Sequence, residues 1–125
     1  MKVHGFLKLK SVVSILFGLC MLLFYDVLMP IYGITLNQSG AMMTQWTGAT
    51  FIGIGLICWF ASQADSSELL KGIIVSLFIC DTSGFIVSFM GQIGGVANML
   101  GWSTVATWLF FAMGLGYYRF VSKDI

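Results

Sequence analysis

The sequence predicts an all-α protein, an integral membrane antiparallel bundle of four transmembrane helices that occupies residues 1–125 as a single domain. The prediction depends on the composition, on four long apolar segments and on the positions of the basic residues. Of the 125 residues, 58% are hydrophobic and 9% are charged, whereas soluble domains carry about 25% charged residues. The chain therefore lacks the polar surface of a soluble domain, and it is too apolar to be disordered.

Four apolar segments of 19 to 21 residues divide the chain; they cover residues 11–29, 41–61, 72–90 and 102–120. A helix of about 20 residues spans the roughly 30 Å of hydrocarbon in a bilayer. None of the segments has the polar stripe that marks a surface helix of a soluble protein. Each is predicted to be a transmembrane helix. Pro30 is expected to end the first one, because proline cannot continue the backbone hydrogen-bond ladder.

All basic residues lie on one predicted side of the bundle. They precede the first segment, lie between the second and third, or follow the fourth: Lys2, Lys8, Lys10, Lys71, Arg119 and Lys123. The connections 30–40 and 91–101 contain no Lys or Arg. Because cytoplasmic loops carry the excess of Lys and Arg, both termini are predicted to be cytoplasmic. The first segment is expected to be an uncleaved anchor, since no small-residue cleavage site follows it.

Small residues are expected to make the contacts between helices, because lipid chains are as apolar as leucine and give helices no hydrophobic reason to associate. The third segment has such residues at every fourth position, namely Ser76, Cys80, Gly84 and Ser88. This row predicts that the third helix lies at the centre of the bundle.

Residues that could support catalysis or bind a metal are few. The three cysteines form no C-x-x-C pair. The only histidine, His4, lies in the N-terminal lead, where we expect it to be solvated. A metal or haem site needs at least two strong ligands at a fixed spacing. The sequence therefore predicts no enzyme activity, no catalytic residue, no metal and no cofactor. The lack of a basic patch excludes nucleic acid as a partner.

Asp81 departs from the apolar pattern, because it lies near the middle of the third segment. An Asp at the bilayer centre costs about 2.5–3.5 kcal/mol on insertion scales, so it needs a partner or a function. No Lys or Arg is predicted at its depth, and its carboxyl group is therefore expected to be protonated and neutral. Two interpretations remain open: a neutral carboxyl that bonds Thr or Ser of a neighbouring helix, and a ligand- or proton-binding site.

Polar residues in the outer halves of the helices predict a small cavity that opens outward, with Asp81 at its floor. At about 100° per residue, Asp81, Ser88 and Gln92 share one face of the third helix. The second and fourth segments carry threonines at a corresponding depth. The alternative is that these hydroxyls bond the backbone of their own helix. The candidate ligand- or proton-binding residues are Asp81, Ser88, Gln92, Thr47, Thr50 and Thr107.

Two stretches carry a resemblance to a known group of proteins. Residues 29–61 begin with MPIYGITL and contain QWTGA and GIGL, and residues 100–105 are LGWSTV. In these positions the chain is similar to small uncharacterised bacterial four-helix membrane proteins, broadly the DoxX-like group. The resemblance implies the cytoplasmic (inner) membrane of a bacterial cell and an accessory role, and it carries over no catalytic residue.

Two functions fit these observations. The favoured one is an accessory or small-molecule- or lipid-binding membrane protein with an outward-facing polar pocket around Asp81. Its expected partners are the lipid bilayer and either a larger membrane protein or a second copy of the chain. The alternative is an oligomeric proton- or cation-coupled transporter or channel that uses Asp81. A membrane enzyme acting on lipid or quinone is the least favoured function.

Overall fold

The computed structural model of the protein describes residues 2–123, which form helices and no strands. The helices are α1 (Val3–Leu23), α2 (Tyr25–Ile31), α3 (Gln38–Ala61), α4 (Glu68–Ile93) and α5 (Gly101–Gly116), and α5 continues into a π-helical turn (Tyr117–Val121). The predicted all-α class is confirmed. Three of the helices, α1, α3 and α4, are long and apolar enough to cross a membrane.

The first helix begins and ends earlier than the sequence predicts. The N-terminal lead is helical from Val3, and the backbone leaves the helical conformation at Phe24. The expectation that Pro30 ends this helix is therefore wrong. Pro30 lies near the end of α2, which has seven residues. A short helix tolerates proline there, because only the hydrogen bond to the carbonyl of Asp26 is lost.

Polar caps extend α3 and α4 beyond their predicted apolar segments. The side chain of Asn37 accepts a hydrogen bond from the backbone N–H of Gly40 at 2.7 Å. Ser67 accepts one from the N–H of Leu70 at 3.1 Å. Such caps satisfy N–H groups that have no partner within the first turn, so a helix can begin in a polar stretch that hydropathy does not detect.

The helices form two antiparallel pairs, α1 with α3 and α4 with α5. In the first pair the backbones themselves meet: a Cβ atom on Gly48 would lie 2.6 Å from the carbonyl oxygen of Gly18. In the second pair, a Cβ on Gly84 would instead lie 2.5 Å from the ring of Trp108. At these glycines, the backbones of α1 and α3 are therefore in direct contact, whereas α4 and α5 meet through a side chain. The row of small residues on the third predicted segment, which is part of α4, does not form this backbone contact, contrary to expectation.

The two pairs pack together at one end of the molecule, which we call the basic end. It contains the first and last described residues and the 62–67 connection, and His4 there bonds the carbonyl oxygen of Ala64 at 2.9 Å through its side-chain Nε2. His4 is thus half-buried and bonded, not simply solvated as predicted. The cluster that fills this end consists of Val3, Phe6, Leu7, Cys58, Ala61, Leu70, Ile74, Leu77, Phe111, Leu115 and Tyr118.

Candidate functional site

A cavity of about 500 Å³ separates the two helix pairs towards the opposite end, which we call the distal end. The distal end contains the connections 32–37 and 94–100. Side chains from α1, α3, α4 and α5 line the cavity. Sites for small molecules have volumes of about 300–1,000 Å³, so this space is large enough for a ligand. Two of its lining residues, Val87 and Val96, are more than half exposed, and the cavity therefore reaches the surface.

A buried ion pair forms the floor of the cavity. Lys10 Nζ on α1 lies 2.8 Å from Asp81 Oδ2 on α4 and donates a hydrogen bond to Oδ1 at 2.9 Å. Lys10 is 3% exposed and Asp81 is 1% exposed. Both side chains line the cavity. The pair therefore joins the two helix pairs at the level where close packing gives way to open space.

This ion pair overturns the expectation that Asp81 has no counter-charge. Hydropathy places Lys10 in a cytoplasmic lead, but α1 begins at Val3 and brings Lys10 about two turns into the helix. The carboxyl group bonds the lysine ammonium and not a Thr or Ser hydroxyl. The predicted neutral carboxyl rested on the absence of a basic residue at this depth, and that premise is wrong.

A signal for the earlier start of α1 is present in the sequence. Val3, Phe6, Leu7 and Lys10 follow the spacing i, i+3, i+4 and i+7 of one helix face. The first three residues are buried in the cluster at the basic end, and Lys10 continues the same face inward. Unbroken apolar runs do not include residues 3–10, because Lys8 and Lys10 are charged. The helical spacing of the apolar residues is nevertheless preserved there.

An aromatic ring lies beside the lysine ammonium. Lys10 Nζ is 4.8 Å from the centre of the Phe111 ring on α5. A cation at this distance is attracted by the π-face of the ring. The ammonium is thus held by groups from both helices of the second pair, the carboxylate on α4 and the ring on α5.

The three candidate threonines bond the backbone of their own helices. Thr47, Thr50 and Thr107 each donate to the carbonyl oxygen four residues earlier, at 2.8, 3.0 and 2.8 Å. Thr47 and Thr107 line the cavity, whereas Thr50 is exposed and does not. Their hydroxyl hydrogens are therefore already used, as the alternative interpretation expects, and only acceptor lone pairs remain for a ligand.

The candidates on α4 differ from one another. Ser88 and Gln92 both line the cavity together with Asp81. Gln92 donates to the carbonyl oxygen of Asn98 at 2.8 Å, and the Asn98 side chain donates to the carbonyl oxygen of Ile31 at 2.9 Å. Gln92 thus helps to hold the two distal connections together. Ser88 makes no hydrogen bond to any group within residues 2–123, so its hydroxyl is available to a ligand.

The walls of the cavity are mainly apolar and aromatic. Phe51 on α3 and Trp108 on α5 meet edge to face across it, with ring centres 5.6 Å apart. Gly84 leaves room for the Trp108 ring, because any larger residue there would collide with it. In the sequence, Trp108 lies about two turns inside the fourth predicted segment, whereas tryptophans of membrane proteins are enriched at the two membrane–water interfaces. This position is the signal that Trp108 has another environment.

The cavity combines a hydrogen-bonding floor with apolar walls. Within residues 2–123, no group of three or more His, Cys, Asp or Glu side chains is placed to hold a metal ion. The ammonium and carboxylate of the floor and the free hydroxyl of Ser88 can form hydrogen bonds, and the aromatic walls can contact a hydrocarbon group. This arrangement is suited to the noncovalent binding of an amphipathic molecule.

Compared with protein-family models, with curated proteins and with solved structures, the chain matches none of them. The resemblance to the DoxX-like group therefore stays a prediction.

Proposed function

We propose that the chain is an integral membrane protein with four transmembrane helices that binds a small amphipathic molecule in the cavity between its helix pairs. The fourth span would comprise α5 and the π-helical turn, residues 101–121, which together have the length of about 20 residues that a span requires. Large apolar side chains also cover the outer surface: Phe60 is 69% exposed and Met113 is 65% exposed. Lipid is the environment that favours such a surface.

The observation that carries the binding proposal is the buried Lys10–Asp81 pair at the floor of an otherwise apolar cavity. Ionisable side chains within membrane spans are rare and are functional sites by default. Here both members of the pair face a space of about 500 Å³. A bundle held only by packing would not need such a space beside its polar contact, because helix interiors are normally filled.

The ion pair favours binding over cation-coupled transport. A transporter of the kind considered from the sequence would use Asp81 to take up a proton or cation. In this chain the Lys10 ammonium lies 2.8 Å from the carboxylate and occupies the position that a transported cation would need. Binding of an amphiphile leaves the pair intact and requires no such displacement.

Saturable quenching of Trp108 fluorescence would test the binding proposal. Two variants would each retain a single tryptophan, Trp108 in the cavity wall or Trp59 on the outer surface, with the other three changed to Phe. In mild detergent, an alcohol with a brominated alkyl chain should quench Trp108 saturably, because bromine quenches indole on contact. Trp59, which is 42% exposed, should show only the linear quenching of a micelle-facing residue. Equal, linear quenching of both would contradict the proposal.

The proposed orientation, with the basic end in the cytoplasm of a bacterial-type cell, is tested by thiol labelling. Gln38→Cys lies at the distal end and Gln63→Cys lies at the basic end, each in a background without the native cysteines. A membrane-impermeant maleimide should label position 38 in intact cells and position 63 only after lysis. The reverse pattern would contradict the orientation.

A further inference from the structure

We infer that the cavity selects amphiphiles whose polar group carries no net charge, such as a hydroxyl or carbonyl, and rejects both anionic and cationic ones. This inference rests on the proposed function and specifies its ligand class. It follows from the zero net charge of the floor, from the spare hydrogen-bonding capacity of Lys10 and from the lack of any other charged side chain among the described residues that line the cavity.

The floor of the cavity has no net charge. Lys10 and Asp81 contribute one positive and one negative charge at 2.8 Å. A proton that moved from the ammonium to the carboxylate would leave their sum at zero. Among the described residues that line the cavity, these two are the only ones with a charged side chain. A charged ligand group would therefore find no unpaired counter-ion in the cavity.

A charged ligand group would have to break the existing pair or remain uncompensated. Burying an unpaired ion costs several kcal/mol even after the protein relaxes. Separating a buried ion pair has the same cost, because one of its members is left as an unpaired buried charge. The side-chain exposures of Lys10 and Asp81, 4% and 1%, show that surrounding water does not offset this cost. Both signs of ligand charge are disfavoured for the same reason.

An uncharged polar group can bind without disturbing the pair. A lysine ammonium has three N–H donors, so Lys10 keeps hydrogen-bonding capacity after it bonds Asp81. The Asp81 side chain is only 1% exposed, so the ligand group bonds Lys10 instead. A ligand hydroxyl or carbonyl can accept from the Lys10 ammonium, and the positive charge strengthens that bond. The unbonded hydroxyl of Ser88 on the cavity wall adds a further neutral partner.

The test uses three brominated alkyl probes of equal chain length that end in a hydroxyl, a sulfonate or a trimethylammonium group. The two charged groups cannot neutralise themselves by gaining or losing a proton. Quenching of the Trp108-only chain is divided by quenching of the Trp59-only chain, which corrects for the amount of each probe in the micelle. The alcohol should saturate Trp108 at a concentration at least about tenfold lower than either charged probe.

Charge variants of the floor show whether the ion pair causes the selectivity. Asp81→Asn leaves the Lys10 ammonium unpaired, so the sulfonate should gain affinity by about tenfold or more. Lys10→Gln leaves the Asp81 carboxylate unpaired, and the trimethylammonium probe should gain instead. The double variant, again without net charge, should return to the preference for the alcohol. Circular dichroism would verify that each variant retains its helices.

The outcomes separate the inference from the proposed function. If no probe quenches Trp108 more than Trp59, the proposed function fails. If all three probes quench Trp108 saturably and alike in the unmodified floor, the cavity binds amphiphiles and the inference is overturned. The inference would also be overturned if Asp81→Asn and Lys10→Gln fold and still prefer the alcohol to the same degree. The ion pair would then not be the cause of the preference. A single variant that does not fold leaves the comparison of the three probes on the unmodified floor to decide.

Discussion

The same four long helices form a filled region at the basic end and an open one towards the distal end. At the basic end Leu7, Ile74 and Leu115 are completely buried, within a cluster that draws on both helix pairs. Towards the distal end the pairs are separated by a cavity of about 500 Å³. The difference shows that apolar helices can pack closely at one end of a molecule and still enclose an open space towards the other.

Residue size accounts for the difference. Bulky side chains such as Phe6 and Phe111 project between the pairs at the basic end, where their ring centres lie 5.6 Å apart. In the distal half, Gly18 and Gly48 bring the backbones of α1 and α3 into contact. The space between the pairs lies at this level and is lined by side chains of both pairs. The ion pair lies at the boundary, where Lys10 can reach Asp81 across the beginning of the gap.

Breaking the ion pair should have the largest effect on stability. Lys10→Met or Asp81→Leu alone leaves a buried charge without its partner, which should lower the free energy of unfolding by about 3–5 kcal/mol. The double variant removes both charges and should be close to the original protein in stability. Thermal unfolding in detergent of the four proteins gives the interaction energy as a double-mutant cycle. Strictly additive losses would mean that the two charges do not depend on each other.

The ion pair also shows where sequence analysis reached its limit. The depth of Asp81 and the polar face it shares with Ser88 and Gln92 predict that it forms the floor of a cavity, and all three residues line the cavity in the structure. Its partner could not be identified by hydropathy, because Lys10 belongs to a turn that interrupts the apolar run. A contact between residues 71 positions apart depends on how the helix pairs assemble, which no local pattern specifies.

Truncating a side chain should cost more stability at the basic end than beside the cavity, and this difference is the second largest effect we expect. Leu7→Ala, in the filled region, removes a completely buried side chain and should cost about 2–5 kcal/mol, because the surrounding rings cannot close the gap. Met21→Ala enlarges a cavity that already exists and should cost about 1 kcal/mol or less. Unfolding in detergent would measure both. Equal losses would indicate that the distal region is as closely packed as the basic end.

Within α3, two glycines provide a matched pair with a smaller expected effect. Gly48→Ala places a Cβ atom 2.6 Å from the backbone of α1, and the resulting displacement should cost about 1–3 kcal/mol. Gly53→Ala meets nothing within 4 Å and should be neutral or stabilising by up to about 1 kcal/mol, because Ala favours a helix more than Gly. The same unfolding assay would measure both variants. A similar cost at the two positions would contradict the backbone contact between α1 and α3.

The smallest expected effect concerns the hydrogen bonds that hold the distal connections together. Asn98→Ala removes the side-chain bond to the carbonyl oxygen of Ile31 and the acceptor for the N–H of Leu100. Because these bonds are exposed, their loss should cost only about 1 kcal/mol in total. Amide hydrogen exchange should become about fivefold faster in the connections 32–37 and 94–100, since local opening there requires less free energy. Exchange in the buried turns of α1 at the basic end should not change. A uniform acceleration along the whole chain would instead mean that the two regions unfold as one unit, and that the distal half is held by the same packing as the basic end.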